Sequence, residues 1–180
     1  MKVTASVPFV PAPVLILACG NPSRGDDALG PRLLERLQAW LEEEDLSAGF
    51  ELIGDFQLQI EHALDLVGRR LALFIDAGSG TAAPFSLCEL QASEATAHTS
   101  HALSPGRVLA VSAQAGLPPP PPSFVLCVRG ESFELGEGLS FSASAHEEAA
   151  FGILQALCRQ PSPAAWRALA DEAVDRKSVV

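Results

Sequence analysis

The chain has 180 residues, of which 48% are apolar, and its 12 basic and 22 acidic residues give a formal net charge of −10. A composition this apolar excludes a disordered chain. A net charge this negative argues against binding to nucleic acid, because the phosphate backbone would be repelled. No uncharged apolar run reaches the roughly 18 residues of a membrane span, and the start of the chain is a poor match to a secretory signal. We therefore expect a cytoplasmic protein with neither a membrane nor a nucleic acid as its partner.

Strand and helix patterns alternate along the chain. A continuous apolar run from Val14 to Cys19, stopped by Gly20, predicts a buried central strand. Further apolar runs predict strands at 50–53, 71–75, 85–90 and 124–128. Apolar residues at helical spacing and capping residues predict helices over 33–41, 60–67, 104–113, 144–157 and 164–173. The fourth of these helices opens on Ser144–Glu147, which has the form of a capping box.

This alternation predicts a single three-layer α/β domain with a twisted, mainly parallel five-stranded sheet and helices on both faces. We divide the chain into a leader over 1–13, the domain over 14–160, and a C-terminal helix and tail over 161–180. A strand order of 2-1-3-4-5 would make strands one and three neighbours, so that the loops following them share one crevice. The four cysteines form no C-x-x-C pair and are interpreted as reduced core thiols.

Ligands of such sheets bind beyond the carboxyl ends of the strands. Asp26 and Asp27 follow the first strand, Asp76 follows the third, and His101 follows the fourth. The first loop lacks the residues of a phosphate-binding loop or a dinucleotide fingerprint, and its two carboxylates would repel a phosphate but suit a cation. Two carboxylates and an imidazole, here Asp27, Asp76 and His101, suit a borderline divalent metal such as nickel, zinc or iron.

Each of these three residues also has a purely structural interpretation. Asp27 could cap the first helix, Asp76 could form a turn at the end of its strand, and His101 could be an ordinary surface residue. The other histidines considered, His62 and His146, are interpreted as structural. No G-x-S-x-G pentapeptide marks a serine hydrolase.

Residues 17–30, Leu-Ala-Cys-Gly-Asn-Pro-Ser-Arg-Gly-Asp-Asp-Ala-Leu-Gly, resemble the opening signature of the [NiFe]-hydrogenase maturation proteases. Leu73–Ala77 resembles the second signature of that family, an apolar strand that ends in Asp-Ala. Ser100–Pro105 resembles the third, a histidine shortly before a capped helix, and Gly138–Ser140 is similar to the C-terminal pattern. The similarity extends over about residues 14 to 158, in the right order.

The resemblance implies an α/β endopeptidase that removes the C-terminal extension of a [NiFe]-hydrogenase large-subunit precursor after nickel has been loaded. It implies that the nickel carried by the precursor is the recognition element, and that Asp27, Asp76 and His101 contact it. The family has no recognised serine or cysteine nucleophile, so the catalytic group is unknown. Attack by a water near the metal and strain in the bound tail both remain open mechanisms.

Two departures from the family pattern concern the partner. Asp27 stands where many relatives have glutamate, and Val128–Gly136 replaces their Gly-Ile-x-Pro pattern. With Asp55–Glu61, that variant resembles the branch that serves bidirectional, NAD-reducing hydrogenases. Gln57 and Gln59 are candidates for lining the groove that holds the substrate peptide, or else belong to the first turn of a helix.

Two other functions remain open. The same residues would serve a non-catalytic nickel-binding factor that inspects the precursor during assembly, whereas a small-molecule metallohydrolase would need a fuller metal cage. We expect a monomer, because a large partner must enter and leave. Since free carboxylates titrate near pH 4 and histidine near 6.5, a loss of processing below about pH 6 is attributed to His101.

Overall fold

The computed structural model describes residues 11–92 and 103–175, and its centre is a sheet of five strands. The strands are β1 (Val14–Cys19), β2 (Phe50–Asp55), β3 (Leu71–Gly78), β4 (Phe85–Glu89) and β5 (Ser123–Arg129). Their order across the sheet is β2-β1-β3-β5-β4, and every neighbouring pair is parallel except β4 with β5. The mainly parallel five-stranded sheet is therefore confirmed, and β1 and β3 are neighbours as predicted.

The predicted order of the last two strands is wrong. Only residues 79–84 connect β3 to β4, and a parallel crossover needs a dozen or more residues, usually with a helix. β4 therefore runs antiparallel at the edge of the sheet, and the long connection through 90–122 returns the chain to the position beside β3. The change leaves the predicted crevice intact, because it affects only the far side of β3.

Helices cover both faces of the sheet. They are α1 (Leu29–Glu43), α2 (His62–Asp65), α3 (Pro105–Gln114), α4 (Phe141–Arg159) and α5 (Pro163–Asp175). One buried cluster joins α1, α4 and α5 to the sheet, and a second joins α2 and α3 to the opposite face. The three-layer arrangement is thus confirmed, while the division of the chain at residues 13 and 160 stays a prediction. No helix in the described part of the chain is long and apolar enough to cross a membrane.

The start of α4 lies four residues before the predicted capping box. Ser140 is the N-cap, and its hydroxyl accepts a hydrogen bond from the backbone N–H of Ala143 at 3.3 Å. Ser144 lies inside the helix, and Glu147 turns inward to pair with α1 instead of closing a box. A run that offers serines at 140, 142 and 144 gives several possible caps, and tertiary contacts decide between them.

The α2 segment exposes most of the apolar residues whose spacing predicts its helix. Of Ile60, Ala63, Leu64 and Val67, only Ala63 is buried, and the other three are 56%, 60% and 37% exposed. His62 and Leu66 are also buried. The helix is also shorter than predicted, with only His62–Asp65 in α-helical conformation. Since the segment is apolar on both sides, its periodicity could not decide which side faces the core.

Candidate functional site

The site is built on a row of side chains that crosses the sheet near the carboxyl ends of the parallel strands. Asp55 is in register with Cys19, Asp76 with Cys127, and Cys127 with Ser86. Because partners in register share a face and alternate residues point to opposite faces, all five lie on the side of α2 and α3. We call this set, Asp55, Cys19, Asp76, Cys127 and Ser86, the polar row.

The first loop folds tightly over the end of β1, and two glycines allow it. Gly20 has φ +147°, and a Cβ atom there would collide with the carbonyl oxygen of Asp27. A Cβ atom on Gly30 would collide with the carbonyl oxygen of Cys19, so this glycine lets α1 start directly against the strand. The spacing of glycines in the signature at 17–30 is thus a consequence of close backbone contact.

Asp26 turns into the protein and is fully buried. Its carboxylate accepts hydrogen bonds from the backbone N–H groups of Glu131, Ser132 and Ser140 at 2.7, 3.1 and 2.7 Å, and from the Ser140 hydroxyl at 2.7 Å. Burial alone would raise the pKa of Asp26, but these hydrogen bonds outweigh it and hold the pKa below its usual value. Asp26 therefore ties the loop after β5 to the loop after β1 and does not share the role of Asp27.

Asp27 stays half-buried, in a short 3₁₀ turn that precedes α1. Its Oδ2 accepts a hydrogen bond from the backbone N–H of Asn21 at 2.8 Å, which closes the loop. It does not cap α1, whose N-cap, Ala28, has no side-chain hydrogen bond. The charge of Asp27 acts on both Asp76 and Cys19, so the carboxylate lies next to the polar row.

Asp76 is the most perturbed carboxyl of the site. Burial, together with the nearby charge of Asp27, raises its pKa to about 6, although the hydrogen bond from the backbone N–H of Ala77 to Oδ1 at 2.8 Å opposes both effects. The expectation that the carboxylates titrate near pH 4 is therefore wrong for Asp76. A loss of processing near pH 6 has two possible origins, Asp76 and His101, and cannot be assigned to the histidine alone.

Cys19 lies between Asp55 and Asp76 in the polar row. Burial, with smaller contributions from the charges of Asp76, Asp55 and Asp27, raises the pKa of its thiol to about 12. Burial also raises the pKa of Cys127, on the other side of Asp76. Both side chains are therefore neutral thiols at physiological pH, and a thiol is a far weaker nucleophile than a thiolate.

The remaining predicted site residues stand as follows. His101, and His98 near it, lie outside the described residues, so the third metal ligand stays a prediction. Gln57 and Gln59 are exposed in the segment after β2, and the backbone N–H of Gln59 donates to Nδ1 of the buried His62 at 2.9 Å. No three His, Cys, Asp or Glu side chains within residues 11–92 and 103–175 are close enough to form a metal site by themselves.

Sequence reasoning missed Asp55 as a neighbour of the site. It ends β2, and its Oδ2 lies 3.5 Å from Nε2 of His62. The signal was available, because an acid at the carboxyl end of a strand beside β1 must lie at the same edge as Asp76. Beside it a groove of about 540 Å³ opens at the surface between α1, the first loop and the end of β2. Its lining includes Gly20, Pro22, Glu35, Asp55 and Phe56.

The fold of the chain is similar to that of several solved structures. No model of a known protein family matches the chain, and no curated protein matches it in sequence. The hydrogenase maturating endopeptidase HybD of Escherichia coli is 24% identical, with a TM-score of 0.63 over 82% of this chain and 93% of HybD. A second structure, an endopeptidase of E. coli in solution, is 25% identical, with a TM-score of 0.60 over 82% and 93% of the two chains. The [NiFe] hydrogenase maturation protease HycI of Thermococcus kodakarensis is 19% identical, with a TM-score of 0.60 over 83% and 94%.

Proposed function

The chain has the fold of the [NiFe] hydrogenase maturation proteases, and from this premise we propose that it is an endopeptidase acting in hydrogenase maturation. Its substrate is the nickel-loaded large-subunit precursor of a [NiFe] hydrogenase, from which it removes the C-terminal extension. The observation that carries the proposal is the pair of acids, Asp27 and Asp76, at the carboxyl edge of the sheet. Asp27 lies in the loop after β1 and Asp76 near the end of the adjacent β3, and each stands in one of the two signature segments, 17–30 and 73–77.

The electrostatics of the pair support a role in meeting a cation. Asp76 is costly to ionise in the free protein, because it is largely desolvated and faces the charge of Asp27. A divalent cation beside both carboxylates would remove that repulsion. Nickel arriving with the precursor as part of the substrate would supply this charge only when the correct substrate is bound. Asp27, Asp76 and His101 would then contact the nickel, and Gln57 and Gln59 would contact the extended peptide.

A non-catalytic inspection factor is the second candidate function. One observation favours it, namely that the thiol of Cys19, the cysteine nearest the acid pair, is held neutral by a pKa of about 12. The proposal of proteolysis therefore requires water as the attacking group or strain in the bound tail. We further propose that the protease is a cytoplasmic monomer and that its substrate is the precursor of a hydrogenase of the NAD-reducing branch.

Incubation with a purified nickel-loaded large-subunit precursor, followed by mass spectrometry, tests the proposal. We expect loss of a C-terminal peptide with the wild-type chain, and no loss with Asp27→Ala or Asp76→Ala. Asp171→Ala, which removes an exposed carboxylate from α5, is the matched control and should process normally. Binding of the precursor by the wild-type chain without any change in its mass would reject the protease and favour the inspection factor.

A further inference from the structure

The α2 segment carries an exposed apolar surface that the proposed chemistry does not use. Ile60, Leu64 and Val67 lie in a run of hydrogen-bonded turns around α2, and all three side chains are exposed. We call these three residues the outer stripe. Ile60 and Leu64 are more than half exposed, although the opposite side of the same segment is buried against α3 and the sheet. Apolar side chains in a continuous exposed row, unlike scattered ones, mark an interaction site.

The outer stripe is held in place by its surroundings. On the inner side, Ala63 and Leu66 are each 2% exposed and pack into the second core cluster, and His62 bonds to the backbone of Gln59. At the end of the segment the Arg69 guanidinium donates to the carbonyl oxygens of Asp65 and Ala12, and to the Glu51 carboxylate, at 2.6 to 2.9 Å. A surface fixed in this way loses little conformational freedom when a partner covers it.

The stripe is connected along the chain to the candidate site. Phe56, four residues before Ile60, is 65% exposed and lines the groove together with Asp55. Asp55 in turn belongs to the polar row, beside Cys19 and Asp76. A short stretch of chain, 55–60, thus joins the outer stripe to the groove and to the polar row.

The charges around the stripe indicate which partner fits. Glu61 is exposed, Asp65 is half-buried, and Glu35 and Asp55 line the adjoining groove. A second copy of the chain would bring the same acids and another net charge of −10 against them, which disfavours self-association. The surface fits a partner that offers an apolar patch flanked by lysine or arginine.

We propose that the outer stripe is the docking surface for the folded body of the large-subunit precursor, through an apolar patch flanked by basic residues. This inference rests on the proposed function. Docking there holds the precursor in place while its C-terminal tail passes Phe56 toward Asp27 and Asp76. The stripe therefore sets the affinity for the whole precursor and takes no part in the cleavage step.

Kinetics of precursor processing test the inference, with Ile60→Ser and Leu64→Ser as variants and Val174→Ser as the matched control. Val174, in α5 on the opposite side of the sheet, is 58% exposed, so its substitution removes an apolar side chain of similar exposure outside the stripe. With the nickel-loaded precursor as probe, we expect KM to rise at least tenfold in each stripe variant, with kcat within twofold of wild type. Val174→Ser should leave both constants unchanged, and thermal melts should show all three variants folded.

The outcomes separate this inference from the proposed function. Normal KM in both stripe variants, or an equal rise in Val174→Ser, overturns the docking surface and leaves the protease intact. Binding that depends on the stripe, measured by biolayer interferometry without any cleavage, overturns the protease and keeps the docking surface. Sedimentation velocity of the chain alone completes the test, because a dimer that the stripe variants dissolve would make the occupant a second copy and overturn the inference.

Discussion

Two adjacent aspartates of the first loop have opposite surroundings, and this contrast explains why the loop needs both. Asp26 accepts four hydrogen bonds inside the protein, whereas Asp27 accepts one from the loop itself and borders the polar row. The short 3₁₀ turn directs the two side chains differently. A pair of acids in sequence is thus one structural residue and one candidate ligand, and stability measurements can separate the two roles.

Asp26→Ala should destabilise the protein far more than Asp27→Ala. The first change leaves three buried backbone N–H groups without their acceptor, and an unsatisfied buried donor costs about 1–3 kcal/mol. We expect a loss of about 3–5 kcal/mol in the free energy of unfolding, against about 1 kcal/mol for Asp27→Ala. Urea denaturation at pH 7 measures both. Because the pKa of Asp26 is lowered in the folded state, its contribution is present above about pH 4 and disappears as the pH falls through the folded value.

Asp76→Asn should stabilise the metal-free protein at neutral pH. The folded-state pKa of Asp76, about 6, lies above that of an unfolded aspartate, so stability decreases as the pH rises from about 4 through 6. Asparagine removes this penalty, and we expect a gain of about 2 kcal/mol at pH 8 that vanishes at pH 4. Chemical denaturation in the presence of a chelator measures it at both pH values. A less stable Asp76→Asn protein at pH 8 would make Asp76 a structural residue.

Sequence could identify Asp27 and Asp76 but not their neighbours. Both follow apolar runs that end in turn residues, and strand ends are readable in one dimension. The burial of Asp26 depends on residues 131–140, more than a hundred positions away, which no local pattern links to the first loop. The raised pKa of Asp76 likewise depends on desolvation by the folded chain.

At the scale of elements, α1 and α4 are joined by a charged cluster. Glu147, 3% exposed, lies 3.1 Å from Arg32 and 3.3 Å from Arg36, while the exposed Glu148 pairs with the same Arg36 at 2.8 Å. Removing Glu147 breaks two pairs made by a buried carboxylate, although the Arg32 and Arg36 side chains are themselves 51% and 32% exposed, whereas removing Glu148 breaks one solvated pair.

Glu147→Ala should therefore cost more unfolding free energy than Glu148→Ala, about 1–2 kcal/mol against at most about 1 kcal/mol. The comparison is informative because Glu148 forms the shorter bonds, so distance alone would predict the opposite order. Urea denaturation of both variants at low and high salt measures the effects, and the cost of Glu148→Ala should shrink further in salt. Equal losses would mean that burial does not control the strength of this cluster.

The sequence allowed us to predict helices with one apolar side and strands formed by a continuous apolar run. It did not allow us to predict the bounds or the buried side of elements that tertiary contacts decide. The run at 14–19 is found as β1 without a change of bounds, and Ser104 caps α3 as predicted. The buried side of α2 was not predictable from its spacing, because its inner and outer faces both carry apolar residues. The family resemblance, carried by residues 17–30 and 73–77, is confirmed at the level of the fold.

At the scale of the whole molecule, the two edges of the sheet differ. The outer edge of β4 is covered by α5, where Arg167 forms two 2.7 Å bonds with Glu89. Trp166 of α5 is fully buried, its ring lies 5.3 Å from that of Phe124, and its indole N–H donates to the carbonyl of Leu157 at 2.9 Å. Residues 163–175 thus close one side of the core.

Trp166→Ala should consequently destabilise the whole domain and not merely release a terminal helix. Loss of a fully buried aromatic side chain costs about 3–5 kcal/mol, and the edge-to-face contact with Phe124 adds to it. We expect a fall in the melting temperature that is the same by circular dichroism and by hydrogen exchange in β5, because α5 and the sheet share one core. Arg167→Ala is the control, since it removes only an exposed ion pair and should leave the melting temperature close to that of the wild type. If Trp166→Ala frees α5 while β5 keeps its full protection, the helix is an appendage, as a domain boundary at residue 160 would require.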